Sequence, residues 1–332
     1  MLLNLIDTRR VVFFGGKGGV GKTTLASATA MALARHGRRV LLVSTDPAHN
    51  LGHLWGIRIG DAVTELDTRL SAVEIDPAAT TSAHLARVED TMHRMMPRHL
   101  HSEVSRHLKL SANSPGTHEA AILERIARIV DEAVGEWDHV IIDTAPSGHT
   151  ARLMALPEMM AAWTDGLLGR RAKAEKLAEA ADALGRESRR ERDLIGGQGS
   201  TGTETDPVRL RNERLRAILE QRRSLFDRFR RILTAPDTCT FIIVLTAERM
   251  PVLETVELCT ELTRTGVDVA AGVVNRRSPR DQGEFLAARA TLEEEFIRQL
   301  HSHLTGLPII ELPLLPGEAA SRSALEEIGR RL

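Results

Sequence analysis

Residues 11–33 run in an order that few folds admit. A short apolar stretch, Val11-Val12-Phe13-Phe14, leads into Gly15-Gly16-Lys17-Gly18-Gly19-Val20-Gly21-Lys22-Thr23-Thr24, and Leu25, Ala28, Ala32 and Leu33 then recur at helical spacing. The apolar stretch predicts a buried strand. The periodic positions predict a helix. The glycines between them allow a turn whose backbone N–H groups, Gly16 to Thr24, converge on an anion at the helix N-terminus. In such a phosphate loop the late lysine, Lys22, reaches the β- and γ-oxygens, and the Thr23 hydroxyl ligates Mg²⁺.

An ordinary loop of this kind needs only Lys22, yet Lys17 stands near its start. Lysine is scarce in this chain: of 44 basic residues only Lys17, Lys22, Lys109, Lys173 and Lys176 are lysine. Two of the five therefore sit in one glycine loop. A compact ammonium fits a crowded phosphate cage where a planar guanidinium would not. The extra lysine suggests a nucleotide sandwiched between two subunits, and hence a switch.

Six further apolar runs read as strands: Val40–Ser44, Ala72–Ile75, His139–Asp143, Thr240–Leu245, Ala270–Val274 and Pro308–Leu312. Helical patterns separate most of them. Alternation of this kind predicts an α/β fold, a mainly parallel sheet with helices on both faces. Ligands of such sheets bind at the carboxyl ends of the strands, where Gly15–Thr24, Thr45–Asn50, Asp143–Thr150 and Asn275 fall. Two stretches interrupt the alternation, about 77–134 and 151–235, the second around the Gly/Ser/Thr-rich residues 196–207. Both are expected to form a helical subdomain above the phosphate-binding rim, within a single phosphate-loop domain spanning 1–332.

Three segments add chemistry. In Ser44-Thr45-Asp46-Pro47-Ala48-His49-Asn50-Leu51, Asp46 follows a strand and faces the rim, where a carboxylate orients the attacking water of phosphoryl transfer or joins the metal shell. Taken alone, Asp46-Pro47 reads better as an Asp-Pro turn. In His139-Val140-Ile141-Ile142-Asp143 an apolar strand ends in an aspartate, the Walker-B arrangement, and Asp143 would hold Mg²⁺. Pro146 and Gly148 make the following loop a switch sensing the γ-phosphate. In Val273-Val274-Asn275, the amide offers donor and acceptor to an adenine edge, although a plain strand-end turn explains it equally well.

Together these segments closely resemble the ArsA family of ATPases, which includes the arsenite-pump ATPase and the ATPase that targets tail-anchored membrane proteins. The resemblance rests on the deviant loop at 15–24, Ser44–Leu51, Asp143–Pro157, Val274–Asn275, and Leu312-Pro313-Leu314-Leu315 with Glu318. It implies a Mg²⁺-dependent ATPase acting as a homodimer. Lys17 would reach the phosphates of the opposing subunit's nucleotide, Asp46 would position water, Asp143 would serve Mg²⁺, and Asn275 with Pro313 and its neighbours would frame adenine. The output implied is an arsenite or anion efflux pump with a membrane permease, or a carrier for hydrophobic client proteins.

Departures from the family narrow this. Pump members bind metalloid through thiolates in the helical region, since soft metalloids need sulfur ligands; neither Cys239 nor Cys259 lies there, and both read as packing residues. The zinc clasp of eukaryotic targeting members has no cysteines in Ser278–Glu284. Six of nine methionines, Met92, Met95, Met96, Met154, Met159 and Met160, fall in the helical stretches; they read as subdomain core or as an adaptable groove extended by Trp163, Leu167 and Leu168. Arg209–Arg231 holds nine arginines against three acids with an amphipathic period, expected to pack one face and solvate the other. His84, His93, His99, His101, His107 and His118 match no zinc spacing and read as surface residues.

Bulk properties exclude other classes. A formal net charge of -1 favours neither nucleic acid nor a membrane surface. The start, Met1-Leu2-Leu3-Asn4-Leu5-Ile6-Asp7, turns acidic too soon for a signal peptide, and no 18-residue apolar run appears. Two cysteines make no disulfide framework, which fits a reducing cytoplasm.

Overall fold

The computed structural model describes residues 1–46, 50–95, 98–111, 116–145, 207–317 and 321–332. The elements in chain order are α1 (Leu2–Ile6), β1 (Val11–Gly15), α2 (Lys22–Arg35), β2 (Val40–Ser44), α3 (Asn50–Trp55), β3 (Thr64–Asp67), β4 (Leu70–Glu74), α4 (Pro77–Met95), α5 (His101–Ser111), α6 (Thr117–Glu132) and β5 (His139–Asp143). After the gap come α7 (Pro207–Leu233), β6 (Cys239–Thr246), α8 (Arg249–Arg264), β7 (Val269–Arg277), α9 (Glu284–His303), β8 (Ile309–Pro313) and α10 (Arg322–Arg331). A single turn of 3₁₀ helix, Arg98–Leu100, precedes α5.

The strands form one sheet in the order β3-β4-β2-β5-β1-β6-β7-β8. All neighbours run parallel except β3 against β4. The seven expected strands are present, and the mainly parallel α/β sheet is as expected. The eighth, β3, was not foreseen. Thr64-Glu65-Leu66-Asp67 has only one large apolar residue because it is an edge strand with little to bury. Its hairpin turn places Arg69 at φ 63°.

Each central strand buries side chains on both faces, as parallel sheets require. Val12 and Phe14 of β1 face a core shared with α1, α2 and α10, while Val11 and Phe13 face a second core with α6, α7 and α8. Phe13 stacks on Phe241 of β6 with ring centroids 5.6 Å apart. Helices α2 and α10 approach through small residues, so a Cβ at Gly329 would lie 3.2 Å from the Ala28 carbonyl oxygen. The register sets the rim. Asp143 is opposite both Phe14 and Ser44, and Asn275 is opposite Thr246.

Within residues 77–134 the described residues form α4, α5 and α6, and α7 is one long helix. Leu225, Phe226, Phe229 and Leu233 of α7 are buried against the second core, so this half of the arginine-rich helix does pack one face. Met92 is partly buried; Met96, Met154, Met159, Met160, Trp163, Leu167, Leu168 and the stretch 196–206 lie outside the described residues. One expectation needs correction. His84 is buried rather than on the surface, because α4 meets α6 there and the ring bonds Glu124 at 2.9 Å.

Glu124 is a fastening point for three helices. Arg128 of α6 reaches it at 2.9 Å, Arg222 of α7 at 3.2 Å and Arg87 of α4 at 3.6 Å. Burial alone would raise the Glu124 carboxyl. The His84 hydrogen bond and the charge of Arg222 outweigh burial and hold it down at about 2, against an ordinary 4.5. A carboxyl depressed in the folded state stabilises the fold above its unfolded value, and that contribution fades as pH falls from 4.5 toward 2. Glu124→Gln is therefore expected to lose about 3 kcal/mol near neutral pH. Urea midpoints of the two proteins should converge between pH 4.5 and 2; a constant gap would exclude the charge pairing as its source.

Candidate functional site

The phosphate loop leaves the middle strand of the sheet and must turn sharply to enter α2. Three left-handed glycines make the turn: Gly16 at φ 137°, Gly19 at 81° and Gly21 at 96°. A Cβ on Gly16 would sit 2.0 Å from the Val244 carbonyl oxygen on β6, and one on Gly21 would sit 2.5 Å from the Asn275 amide nitrogen. The loop is thus pressed against two neighbouring strands. Gly18 and Gly19 are exposed, Val20 is buried, and Thr23 and Thr24 are half-buried in the first turn of α2.

Lys22 is buried and donates from Nζ to the Lys17 carbonyl at 3.0 Å. Burial pushes its ammonium below the usual lysine range; the charges of Asp143 and then Asp46 oppose that shift. Both carboxylates therefore lie close enough to Lys22 to be felt by it. The Thr23 hydroxyl donates to Asp143 Oδ2 at 2.7 Å, and the Ser44 hydroxyl reaches the same oxygen at 3.5 Å.

Asp143 ends β5 wholly buried. Burial pushes its carboxyl up to about 7 against the lowering effects of the Thr23 hydrogen bond and Lys22, while Asp46 raises it further. Its Oδ1 has no hydrogen-bond partner among the described residues. A buried carboxylate oxygen left bare is costly unless something charged completes it. A hydroxyl and a carboxylate are the hard oxygen donors that Mg²⁺ takes. The residues fit such an ion: Thr23 and Asp143 would hold it, with Asp46 beside them.

The stems of the two segments expected to switch are joined. The Thr45 N–H donates to the Asp143 carbonyl at 3.0 Å, and the Ala145 N–H donates to the Thr45 hydroxyl at 3.2 Å. Thr144 donates from its hydroxyl to the Phe14 carbonyl at 2.8 Å, tying β5 to β1. Beyond Asp46, the buried Glu74 accepts the Leu51 N–H at 3.1 Å and so anchors α3. Pro47, Ala48, His49 and 146–157 lie outside the described residues, as does Glu318.

Lys17 points elsewhere. Its Nζ meets Glu254 of α8 at 2.6 Å, and the ammonium-bearing side chain is 37% exposed. Asn275 donates to the Val20 carbonyl at 2.9 Å, gripping the loop from β7. Pro313 closes β8, and the following Leu314 N–H bonds the Arg277 carbonyl at 2.8 Å. The structure thus gathers Lys17, Lys22, Thr23, Asp46, Asp143 and Asn275 on one rim. Sequence reasoning missed Glu254, Glu74 and Ser44, whose pairings join residues far apart in the chain and carry no local signal.

Neither cysteine belongs to the site. Cys239 is buried in β6 and Cys259 half-buried in α8, and burial pushes both thiols up. Among the described residues no group of three or more His, Cys, Asp or Glu side chains has metal-site geometry. No described helix is long and apolar enough to cross a membrane.

Comparison with known proteins agrees with the geometry. The profile of the ArsA ATPase family, described as anion-transporting ATPase, matches residues 9–332. A protein of Aquifex aeolicus (strain VF5), provisionally named arsenical pump-driving ATPase 2, is 29% identical over 97% of this chain and 99% of its own length. The arsenical pump-driving ATPase of Acidiphilium multivorum (strain DSM 11245 / JCM 8867 / NBRC 100883 / AIU 301) is 30% identical over 95% of this chain, which spans 48% of that protein. The protein named ATPase get3 of Aspergillus terreus (strain NIH 2624 / FGSC A1156) is 30% identical over 98% of this chain and 91% of its own length.

The contact between Gly21 and Asn275 gives a direct test of the site. Gly21→Ala places a methyl 2.5 Å from the Asn275 amide nitrogen in a left-handed turn. Nucleotide affinity measured by fluorescence titration should fall at least about tenfold, since displaced loop amides lose charge-assisted bonds to phosphate. Unchanged affinity would mean that this loop does not hold the phosphates.

Proposed function

We infer that this chain, which belongs to the ArsA family of anion-transporting ATPases, works as a Mg²⁺-dependent, ATP-gated homodimer. The observation that carries this reading is the division of labour between the two loop lysines. Lys22 lies inside its own loop beside Thr23 and Asp143, whereas Lys17 turns outward to Glu254. The local site already has its lysine. The outward one is available to a nucleotide held by a second copy of the chain.

In this reading the loop N–H groups and Lys22 take the β- and γ-phosphates, as a helix N-terminus favours. Thr23 and Asp143 hold Mg²⁺, with Asp46 in or beside its shell. When bound, the ion neutralises charge that builds on the transferring phosphoryl group. Asp46 orients the attacking water and accepts its proton. Asn275 and the Leu312–Leu315 segment frame adenine. Lys17 exchanges Glu254 for the partner's phosphates, adding positive charge where the transition state is most negative. The tie through Thr45 supports a switch in which the segments beginning at Asp46 and Asp143 respond together and move α4, α5, α6 and α7.

The output follows from the family as anion transport, with a membrane permease as partner and the cytoplasm as compartment. The cysteines favour a second reading. Cys239 is buried and Cys259 half-buried, burial pushes both thiols up, and neither lies in the helical stretches, so soft metalloid lacks thiolate ligands here. A carrier for hydrophobic membrane proteins needs no such ligands.

Two measurements test these readings. Mixing Lys17→Ala with Asp46→Asn should restore roughly a quarter of wild-type ATP turnover, because half of the dimers are mixed and each has one complete site. If Lys17 acts only within its own subunit, the mixture stays as inactive as either variant. For the output, turnover is measured with arsenite, with antimonite and with a transmembrane peptide. Stimulation by metalloid alone excludes the carrier, and ATP-dependent capture of the peptide without metalloid stimulation excludes the metalloid pump.

A further inference from the structure

Arg276 stands at the end of β7 in a conformation that costs it energy. Its φ is 59°, in the left-handed region where a residue with a Cβ is strained by about 1–2 kcal/mol. Glycine would adopt it freely, as Gly19 does at φ 81° in the loop that Arg276 contacts. A side chain kept in spite of such strain points to a use for that side chain. Arg276 is exposed, so packing does not explain it.

Its guanidinium reaches the phosphate loop. Arg276 Nη1 donates to the Gly19 carbonyl at 3.1 Å. The adjacent Asn275 donates to the Val20 carbonyl at 2.9 Å, and its own side-chain oxygen accepts the Arg276 N–H at 3.0 Å. Two consecutive residues of β7 thus hold two consecutive carbonyls of the loop apex. The described peptide bonds are all trans. In a trans peptide the carbonyl of one residue and the N–H of the next point in opposite directions. Drawing the Gly19 and Val20 carbonyls toward β7 therefore turns the N–H groups of Val20 and Gly21 away from it, toward the interior of the loop. It also keeps two negative oxygen ends away from an anionic ligand.

The anchor for this grip is the next residue. Arg277 is 11% exposed and forks onto three carboxylates: Glu293 at 2.5 Å, Glu294 at 2.8 Å and Glu311 at 2.6 Å. Glu293 also accepts the N–H and hydroxyl of Ser278 at 3.0 and 2.7 Å. The chain after Asn275 is therefore pinned to α9 and β8, and Arg276 is held between a fixed clasp and the loop.

We propose that Arg276 is a positioning residue for nucleotide binding, which presets the phosphate-facing N–H groups of Val20 and Gly21 by holding the Gly19 carbonyl outward. The proposal rests on the reading that residues 15–24 hold the nucleotide phosphates. It predicts a change in affinity rather than in chemistry, because Arg276 touches the loop and not the reacting atoms.

The test compares Arg276→Gly, Arg276→Lys and Lys22→Ala in the full chain, using a fluorescent ADP analogue with Mg²⁺ for Kd, ATP turnover for kcat and KM, and thermal melting. Arg276→Gly removes the guanidinium and relieves the backbone strain together. Kd and KM should rise about five- to tenfold, the loss of one charged hydrogen bond, with kcat within about twofold and the melting temperature equal or higher. Arg276→Lys, which keeps a cationic donor, should recover at least half of that loss. Wild-type Kd and KM in Arg276→Gly overturn the proposal, as does a lysine variant no better than glycine. Lys22→Ala separates the two readings: if it still binds the analogue normally, the phosphate-loop reading itself fails, whatever Arg276 does.

Discussion

A carboxylate buried away from solvent is the constraint to which the rest of the rim answers. Asp143 ends the strand beside β1, and the parallel register brings Ser44 and the root of the phosphate loop level with it. Removing such a group from water is tolerable only with donors or cations arranged around it. Thr23, Ser44 and Lys22 supply part of that arrangement and leave one oxygen bare. The same burial lowers the proton affinity of Lys22 and raises that of Asp143. Anionic phosphate beside Lys22 and a cation beside Asp143 would each oppose the shift that burial imposes. The geometry of the site and its demand for ligand have one physical origin.

Much of this was legible in the sequence because it is carried by local pattern. The central parallel strands are apolar runs buried on both faces, and the glycine loop announces itself between a strand and a helix. Asp46, Asp143 and Asn275 stand at strand ends, where topology alone puts them on one rim. What was not legible joins distant residues. Thr64–Asp67 pairs as a strand through its backbone and edge position, without an apolar signature. Glu254 meets Lys17 across 237 positions. His84 reads as a surface residue until the packing of α4 on α6 encloses it with Glu124. Arg276 looks like an ordinary strand-end residue until its backbone angle is seen.

Two ion clusters share a design. Glu124 gathers one histidine and three arginines from α4, α6 and α7; Arg277 gathers three carboxylates from α9 and β8. Each has a single, mostly buried hub that several elements reach. Such hubs specify which elements meet, since removing the hub leaves several charges unmatched at once. One hub fastens helices over the second core. The other fastens the strand end that grips the phosphate loop.

The scarcity of lysine gives the Lys17–Glu254 pair a further consequence. The fastening charges are guanidinium groups, which do not deprotonate in proteins. The chain consequently presents few primary amines, and two of them share one loop in unlike surroundings: Lys22 is shielded, while Lys17 is partly exposed and paired with a carboxylate. To an acylating reagent the loop therefore shows one reachable nucleophile. Its reactivity would report on the ion pair itself, rising when Glu254 lets go and, under the proposed dimer, falling where a second subunit would cover it, so the chemistry of a single amine would distinguish those states.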